Sequence, residues 1–137
     1  MSGSQTRFEP EESVAGAPFW AATRERRLVL PWCRVCERAH WFPREFCPFC
    51  LGTDLEWREA SGNGVVYAVS VMSGPANPFM EGRAPSVVAL IDLPEGVRMM
   101  SNVVSAAPEE VAVGQAVRVS WEPLTDGRHL VVFEPAP

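Results

Sequence analysis

Cys33-Arg34-Val35-Cys36, ten further residues, then Cys47-Pro48-Phe49-Cys50: these eighteen positions hold every cysteine of the 137-residue chain, spaced C-x2-C-x10-C-x2-C. Each C-x-x-C can close a tight knuckle that turns two thiolates toward one point. Two knuckles together offer four sulfurs at the corners of a tetrahedron, about 2.3 Å from a zinc ion. Zinc is borderline soft and favours thiolate, and four thiolates leave no open position for water, so such a centre is structural. The spacing therefore predicts one structural zinc per chain, held by Cys33, Cys36, Cys47 and Cys50. Two disulfides would suit an exported protein, but the first twelve residues, polar and acidic, do not read as a signal peptide. A thioredoxin-like dithiol needs a single C-x-x-C opening a helix, which two paired motifs fit poorly. Rubredoxin knuckles hold iron in a similar site and place glycine after each C-x-x-C; Glu37 and Leu51 stand there instead, which favours zinc over iron.

The residues around the knuckles extend this reading. Glu37 to Phe46, with Trp41-Phe42 at its centre, suits a short β-hairpin that returns the second knuckle to the first, with His40 solvated on it. Pro48 pre-sets the second knuckle, and Gly52 loosens the backbone behind it. So small a ribbon has little apolar core, and metal binding supplies folding energy on the order of 10 kcal/mol in isolated zinc domains. Upstream, Pro18 and the Ala21-Ala22 pair predict a helix from Pro18 to Arg27, and Leu28-Val29-Leu30 a strand leading into the first knuckle.

Downstream the pattern turns to strands. Leu55 to Arg58 alternates apolar with charged residues. Runs over Val65–Met72, Ser86–Leu93, Val97–Val104, Ala116–Glu122 and His129–Glu134 are β-prone and separated by turn residues. Pro94-Glu95-Gly96 suits a tight hairpin, and a glycine- and proline-rich loop is expected over 73–85. One helical turn at Pro108-Glu109-Glu110-Val111 falls between the third and fourth of the five runs. That is the element order of a five-stranded OB barrel. Tyr67, inside a continuous apolar run, is assigned to its core. The fold class is thus mainly β: an N-terminal helix, a rubredoxin-like zinc ribbon, then an OB barrel. The segments run 1–16 (flexible), 17–31 (helix and lead-in strand), 32–54 (ribbon) and 55–137 (barrel).

Composition narrows the function. The chain weighs 15.1 kDa, carries twelve arginines and no lysine, and has a formal charge of −5. The absence of lysine excludes Schiff-base and Walker-type chemistry. Residues 17–50 net +3 and residues 51–137 net −6. An acidic barrel argues against a single-strand nucleic-acid module, which needs a basic groove with stacking aromatics. No apolar run approaches the roughly 18 residues of a membrane span, and a cytoplasmic location without membrane partner is expected. His40 and His129 are the only histidines, no G-x-S-x-G elbow exists, and the cysteines are committed to metal. No catalytic residue is assigned, and intrinsic catalysis is not expected.

The series Phe19-Trp20, Leu28 to Leu30, C-x-x-C, Phe42-Pro43-Arg44, C-P-x-C, Trp57, Ser61-Gly62-Asn63-Gly64-Val65-Val66-Tyr67 and Pro94-Glu95-Gly96-Val97 resembles the zinc-ribbon plus OB-fold proteins known as domain of unknown function thirty-five. The likeness runs from about Ala17 to Pro135. It departs at Glu37, where glycine is usual, and at Trp32, where glutamine is frequent; neither is a metal ligand. The resemblance implies a non-catalytic accessory subunit. Its partner would be a thiolase-fold enzyme, such as a lipid-transfer-protein-like aldolase of steroid side-chain degradation, or a MaoC-like hydratase, with acyl-CoA as a ligand. Arg24, Arg26, Arg27, Arg34, Arg38 and Arg44 form a basic set suited to its phosphates. The alternatives are the nucleic-acid module and a rubredoxin-like electron carrier.

Overall fold

The computed structural model describes residues 8–74 and 86–137. The loop expected over 73–85 lies, from residue 75 on, outside the described residues. In the expected flexible segment, residues 1–7 are likewise outside. Glu9 there accepts hydrogen bonds from Thr125 N and Oγ1 at 2.9 and 3.0 Å, and Ser13 Oγ accepts one from Gly16 N at 3.0 Å.

Helix α1 spans Ala17–Arg24, three residues shorter than the sequence suggests at its C-terminal end. Arg26 there turns left-handed (φ 57°), Arg27 N donates to Ala22 O and Arg26 N to Thr23 O, both at 3.0 Å. This Schellman closure satisfies carbonyls that a continuing helix would have used and swings the chain into a strand.

Strand β1 (Val29–Cys33) is central in a three-stranded antiparallel sheet, flanked by β2 (Arg38–Ala39) and β3 (Leu55–Glu59). The expected hairpin within 37–46 is absent. The ribbon hairpin instead wraps the first knuckle, pairing Trp32 with Ala39 and Cys33 with Arg38. Residues 40–46 are not strand; Pro43 has no N–H for a ladder. Strand β3 lies along the other edge of β1, from Val29↔Glu59 to Cys33↔Leu55. The two strands that enter and leave the ribbon thereby hold each other.

Five strands close the barrel in the order β4-β5-β6-β8-β7: β4 (Asn63–Met72), β5 (Ser86–Asp92), β6 (Arg98–Val103), β7 (Ala116–Pro123) and β8 (His129–Pro135). All pairs are antiparallel except β6 with β8, and a 3₁₀ turn at Pro108–Glu110 separates the third strand from the fourth. This is the OB order, and closure leaves no exposed edge. Inward positions alternate: Val87, Ala89 and Ile91 on β5, Met99 and Val103 on β6, with Phe133 fully buried on β8.

Tyr67 is not in the core but half exposed, with the Arg98 guanidinium 3.4 Å above its ring. Gly64 and Val66 take the inward positions. The register then shifts between Val66 and Ala68, so Tyr67 is the extra residue of a β-bulge. An unbroken apolar run conceals that alternation from the sequence.

The core is continuous across the two sheets. Phe19, Leu28, Leu30 and Ala39 from the helix and ribbon pack with Val66, Ile91, Met99 and Phe133 of the barrel. A polar clamp reinforces the junction. Buried Thr23 accepts from His129 N at 3.2 Å, its hydroxyl donates to Trp20 O at 2.6 Å, and its carbonyl lies 2.7 Å from His129 Nδ1. No helix among the described residues is long and apolar enough to cross a membrane.

Candidate metal centre and its surroundings

The ladder places Cys33 at the end of β1 and Cys36 in the turn behind it. A second turn, with Leu51 N donating to Cys47 O and Cys47 N to Gly52 O (both 2.8 Å), carries the other two. The four Sγ atoms lie within 4.8 Å of one another, and no cysteine is in a disulfide. Cys33 and Cys50 sulfurs are 3.7 Å apart, Cys36 and Cys47 sulfurs 3.9 Å. A tetrahedron with metal–sulfur bonds of about 2.3 Å has edges of about 3.8 Å, so the donor set fits a tetrathiolate metal ion. A disulfide would need about 2.05 Å.

Both knuckles reach the left-handed region without glycine, at Glu37 (φ 53°) and Leu51 (φ 64°). Backbone N–H groups of Cys36, Phe49 and Gly52 point at the sulfurs of Cys33, Cys47 and Cys50, at 3.4, 3.3 and 3.4 Å. The missing glycines therefore do not distinguish zinc from iron, because the turn forms without them.

The cluster resists full ionisation by itself. The Cys36 thiol is pushed up to about 12, first by its hydrogen bond to the Cys50 sulfur, then by burial and its other sulfur neighbours. Burial also raises Cys47, but the backbone N–H groups of Cys50 and Phe49 and the nearby sulfurs outweigh it and hold that thiol at about 7. Four thiolates in this space need a cation between them, and such an ion supplies folding energy and polarity only, with no site left for substrate.

The six arginines expected to act together are dispersed. Arg24 donates to Asp126 O at 2.6 Å; Arg26 faces His129; Arg27 bridges Glu25 and Glu59, both at 3.3 Å. Arg34 pairs with Glu56 and Asp54 at 2.7 and 2.8 Å, and Arg58 also bonds Glu56. Arg38 and Arg44 alone of the six lie on the ribbon face toward the barrel, where Arg98 joins them. Sequence reading missed Arg98, which is sixty residues from Arg38; no local signal marks the approach.

His40, expected to be solvated, is 2% exposed, with neither ring nitrogen bonded to a protein group. Its backbone N–H is fastened to Pro31 O at 3.1 Å, and neighbouring Trp41 packs edge-on to Phe19, 4.9 Å between centroids. That anchoring turns the imidazole inward. Burial first, and the Arg44 charge second, hold its pKa below the ordinary histidine value of 6.5. The unfolded chain therefore takes up a proton below about pH 6.5 that the folded chain refuses. Stability is full above that pH and falls as pH drops through it, by at most about 1.4 kcal/mol per pH unit. Denaturant midpoints of zinc-loaded protein from pH 7.5 to 5.5 should show this slope, and His40→Phe should flatten it.

A tetrathiolate ribbon packed on a closed five-stranded barrel defines a zinc-ribbon/OB-fold protein. Residues 20–56 match the family model for the ChsH2 rubredoxin-like zinc ribbon domain, and residues 57–122 that for the ChsH2 C-terminal OB-fold domain. The chain belongs to the DUF35 family. It is 37% identical over 100 residues to a DUF35 domain-containing scaffold protein of Methanocaldococcus jannaschii, covering 72% of this chain and 70% of that one. It is 38% identical over 119 residues to a probable enoyl-CoA hydratase alpha subunit of Thermomonospora curvata; this takes in 86% of the chain but spans only 37% of that relative's length. Among solved structures, a chain of an Ltp2-ChsH2(DUF35) aldolase superposes with a TM-score of 0.84 and 35% identity, covering 94% of this chain and all of that one.

Proposed function

We propose that this chain is a non-catalytic accessory subunit of an acyl-CoA-processing complex, held in shape by one zinc ion on Cys33, Cys36, Cys47 and Cys50. The observation that carries this reading is the likeness, along the full length of that chain, to a component of an Ltp2-ChsH2(DUF35) aldolase. The partner is a thiolase-fold aldolase of the lipid-transfer-protein-like class, and the substrate an acyl-CoA such as a degraded steroid side chain; a MaoC-like hydratase is the further partner. The surface supports it. Phe42 (62% exposed), Phe46, Phe49 and Leu51 (70% exposed) stand outward on the ribbon beside Arg38 and Arg44. Aromatic residues and arginine are the types that anchor protein interfaces.

Co-expression with an Ltp2-type aldolase tests the reading. The two chains are expected to co-purify, and carbon–carbon cleavage of a β-hydroxyacyl-CoA to require both. A Phe42→Ser/Leu51→Ser double variant should reduce co-purification at least tenfold while retaining zinc. An aldolase fully active and soluble without this chain would overturn the proposal.

A further inference from the structure

In an antiparallel barrel one face of each strand packs inward and the other meets water, so its strands ordinarily alternate apolar with polar residues. Strands β4 and β5 do not: Val65-Val66-Tyr67-Ala68-Val69 and Val87-Val88-Ala89-Leu90-Ile91 are apolar without a break. Val87, Ala89 and Ile91 fill the core, which turns Val88 and Leu90 outward as half-buried residues. The register carries this surface to both sides. Leu90 pairs with Met100 of β6, which is 68% exposed, and with Ala68 of β4, next to the outward Tyr67. Three adjoining strands thus present one apolar outer face, the pattern of a sheet covered on both sides.

Two features say what covers it. The first is charge. Asp92 and Arg98 are the only charged residues of β4, β5 and β6, and they neutralise each other through bonds of 2.6 and 3.2 Å. The whole chain carries −5, so two copies repel when their acidic surfaces meet but not when these neutral faces do. The second is relief. Met100 stands out as a knob on β6. About 10 Å away, across two strands, a groove of about 530 Å³ opens at the β4–β7 seam, with Val65, Leu93, Pro94 and Ala116 in its wall. Knob and hole on one surface are what a two-fold axis requires, because each copy then supplies both. An unrelated partner requires only one of them.

We propose that two copies of this chain pair through the outer face of β4, β5 and β6, with Met100 of each copy seated in the β4–β7 groove of the other. Tyr67, fixed beneath the Arg98 guanidinium 3.4 Å above its ring, packs between them. Tyrosine and arginine anchor interfaces, and methionine adapts to the surface it meets. The exposed aromatic residues of the ribbon take no part, so the pairing stands whether or not an aldolase docks there.

Sedimentation equilibrium of the zinc-loaded full-length chain is expected to show reversible exchange between 15.1 kDa and twice that mass, with a dissociation constant in the micromolar range. Met100→Glu puts a carboxylate on each side of the interface and should weaken pairing about a hundredfold. Ala116→Phe, which fills the groove from an exposed position, should weaken it about tenfold. Val14→Glu is the control: Val14 is 84% exposed but precedes α1, and pairing should not change. All three sites are exposed, and zinc content with circular dichroism verifies that the variants fold. Met100→Glu should still retain a co-expressed aldolase. A wild-type chain that stays monomeric up to about 1 mM, pairing untouched by Met100→Glu, or equal weakening by Val14→Glu would overturn the proposal. So would a monomeric wild-type chain whose aldolase is lost with Met100→Glu, which would assign this face to that enzyme.

Discussion

Cys47→Ser is expected to empty the metal centre and unfold the ribbon. Cys47 is fully buried, its sulfur accepts a backbone N–H from Phe49, and its carbonyl and N–H close the second knuckle. A hydroxyl there is a poor zinc ligand, and the three remaining thiols are left crowded in a space whose electrostatics already hold Cys36 protonated. Structural zinc contributes on the order of 10 kcal/mol to domains of this kind, more than any packing change in the chain can supply. The damage should spread, because Leu28, Leu30 and Ala39 belong to the same core as the barrel's Val66 and Ile91. Metal analysis should fall from one equivalent of zinc to nearly none. Hydrogen exchange should show β1 and β3 unprotected, with chelator treatment of the wild type giving the same pattern. A variant that keeps one equivalent of zinc would contradict the ligand assignment, and a zinc-free variant with wild-type protection in β1 and β3 would contradict its structural role.

Gly64→Ala is the second change with a large expected effect. Gly64 sits where β4 closes the barrel against β7, paired with Val117. A Cβ built there would stand 2.4 Å from Ile91 Cγ2 and 3.4 Å from both Asp92 O and Leu93 Cδ2. Ile91 is fully buried and cannot swing away, so the strands must part. A loss of about 3 kcal/mol is expected, at the upper end of overpacking costs, as a lower denaturant midpoint at unchanged zinc content. Ile91→Ala removes the clashing methyl. The double variant should then be markedly more stable than the two single losses predict by addition. Strict additivity would place the clash elsewhere. Gly62, two residues earlier, has its own reason to be glycine: φ is +87° and a Cβ would meet Val119 Cγ1 at 2.9 Å. Together these contacts explain the Ser61-Gly62-Asn63-Gly64 signature as the seam of the barrel.

The metal centre was legible because its information is local. Each pair of ligands is separated by two residues, so the turn that brings two sulfurs together is encoded within the motif. The barrel was legible through β-prone runs and turn residues, and the hairpin at Pro94-Glu95-Gly96 forms as expected, with Leu93 N donating to Val97 O at 2.9 Å. Errors fell where burial depends on a distant partner. His40 looked solvated because nothing beside it in sequence shows that Trp41 docks on Phe19. Tyr67 looked buried because only the β4–β5 register reveals its bulge.

The clustering of the four cysteines, the number of barrel strands and the order of the barrel's elements thus follow from the chain read residue by residue, since they rest on short-range spacing and propensity. Which arginines share a face, which histidine is buried, and why Gly64 admits no side chain were decided by the closure of ribbon on barrel. That closure brings Arg98 beside Arg38 and Arg44 and Ile91 against Gly64, and contacts across such separations are set by packing of the whole core.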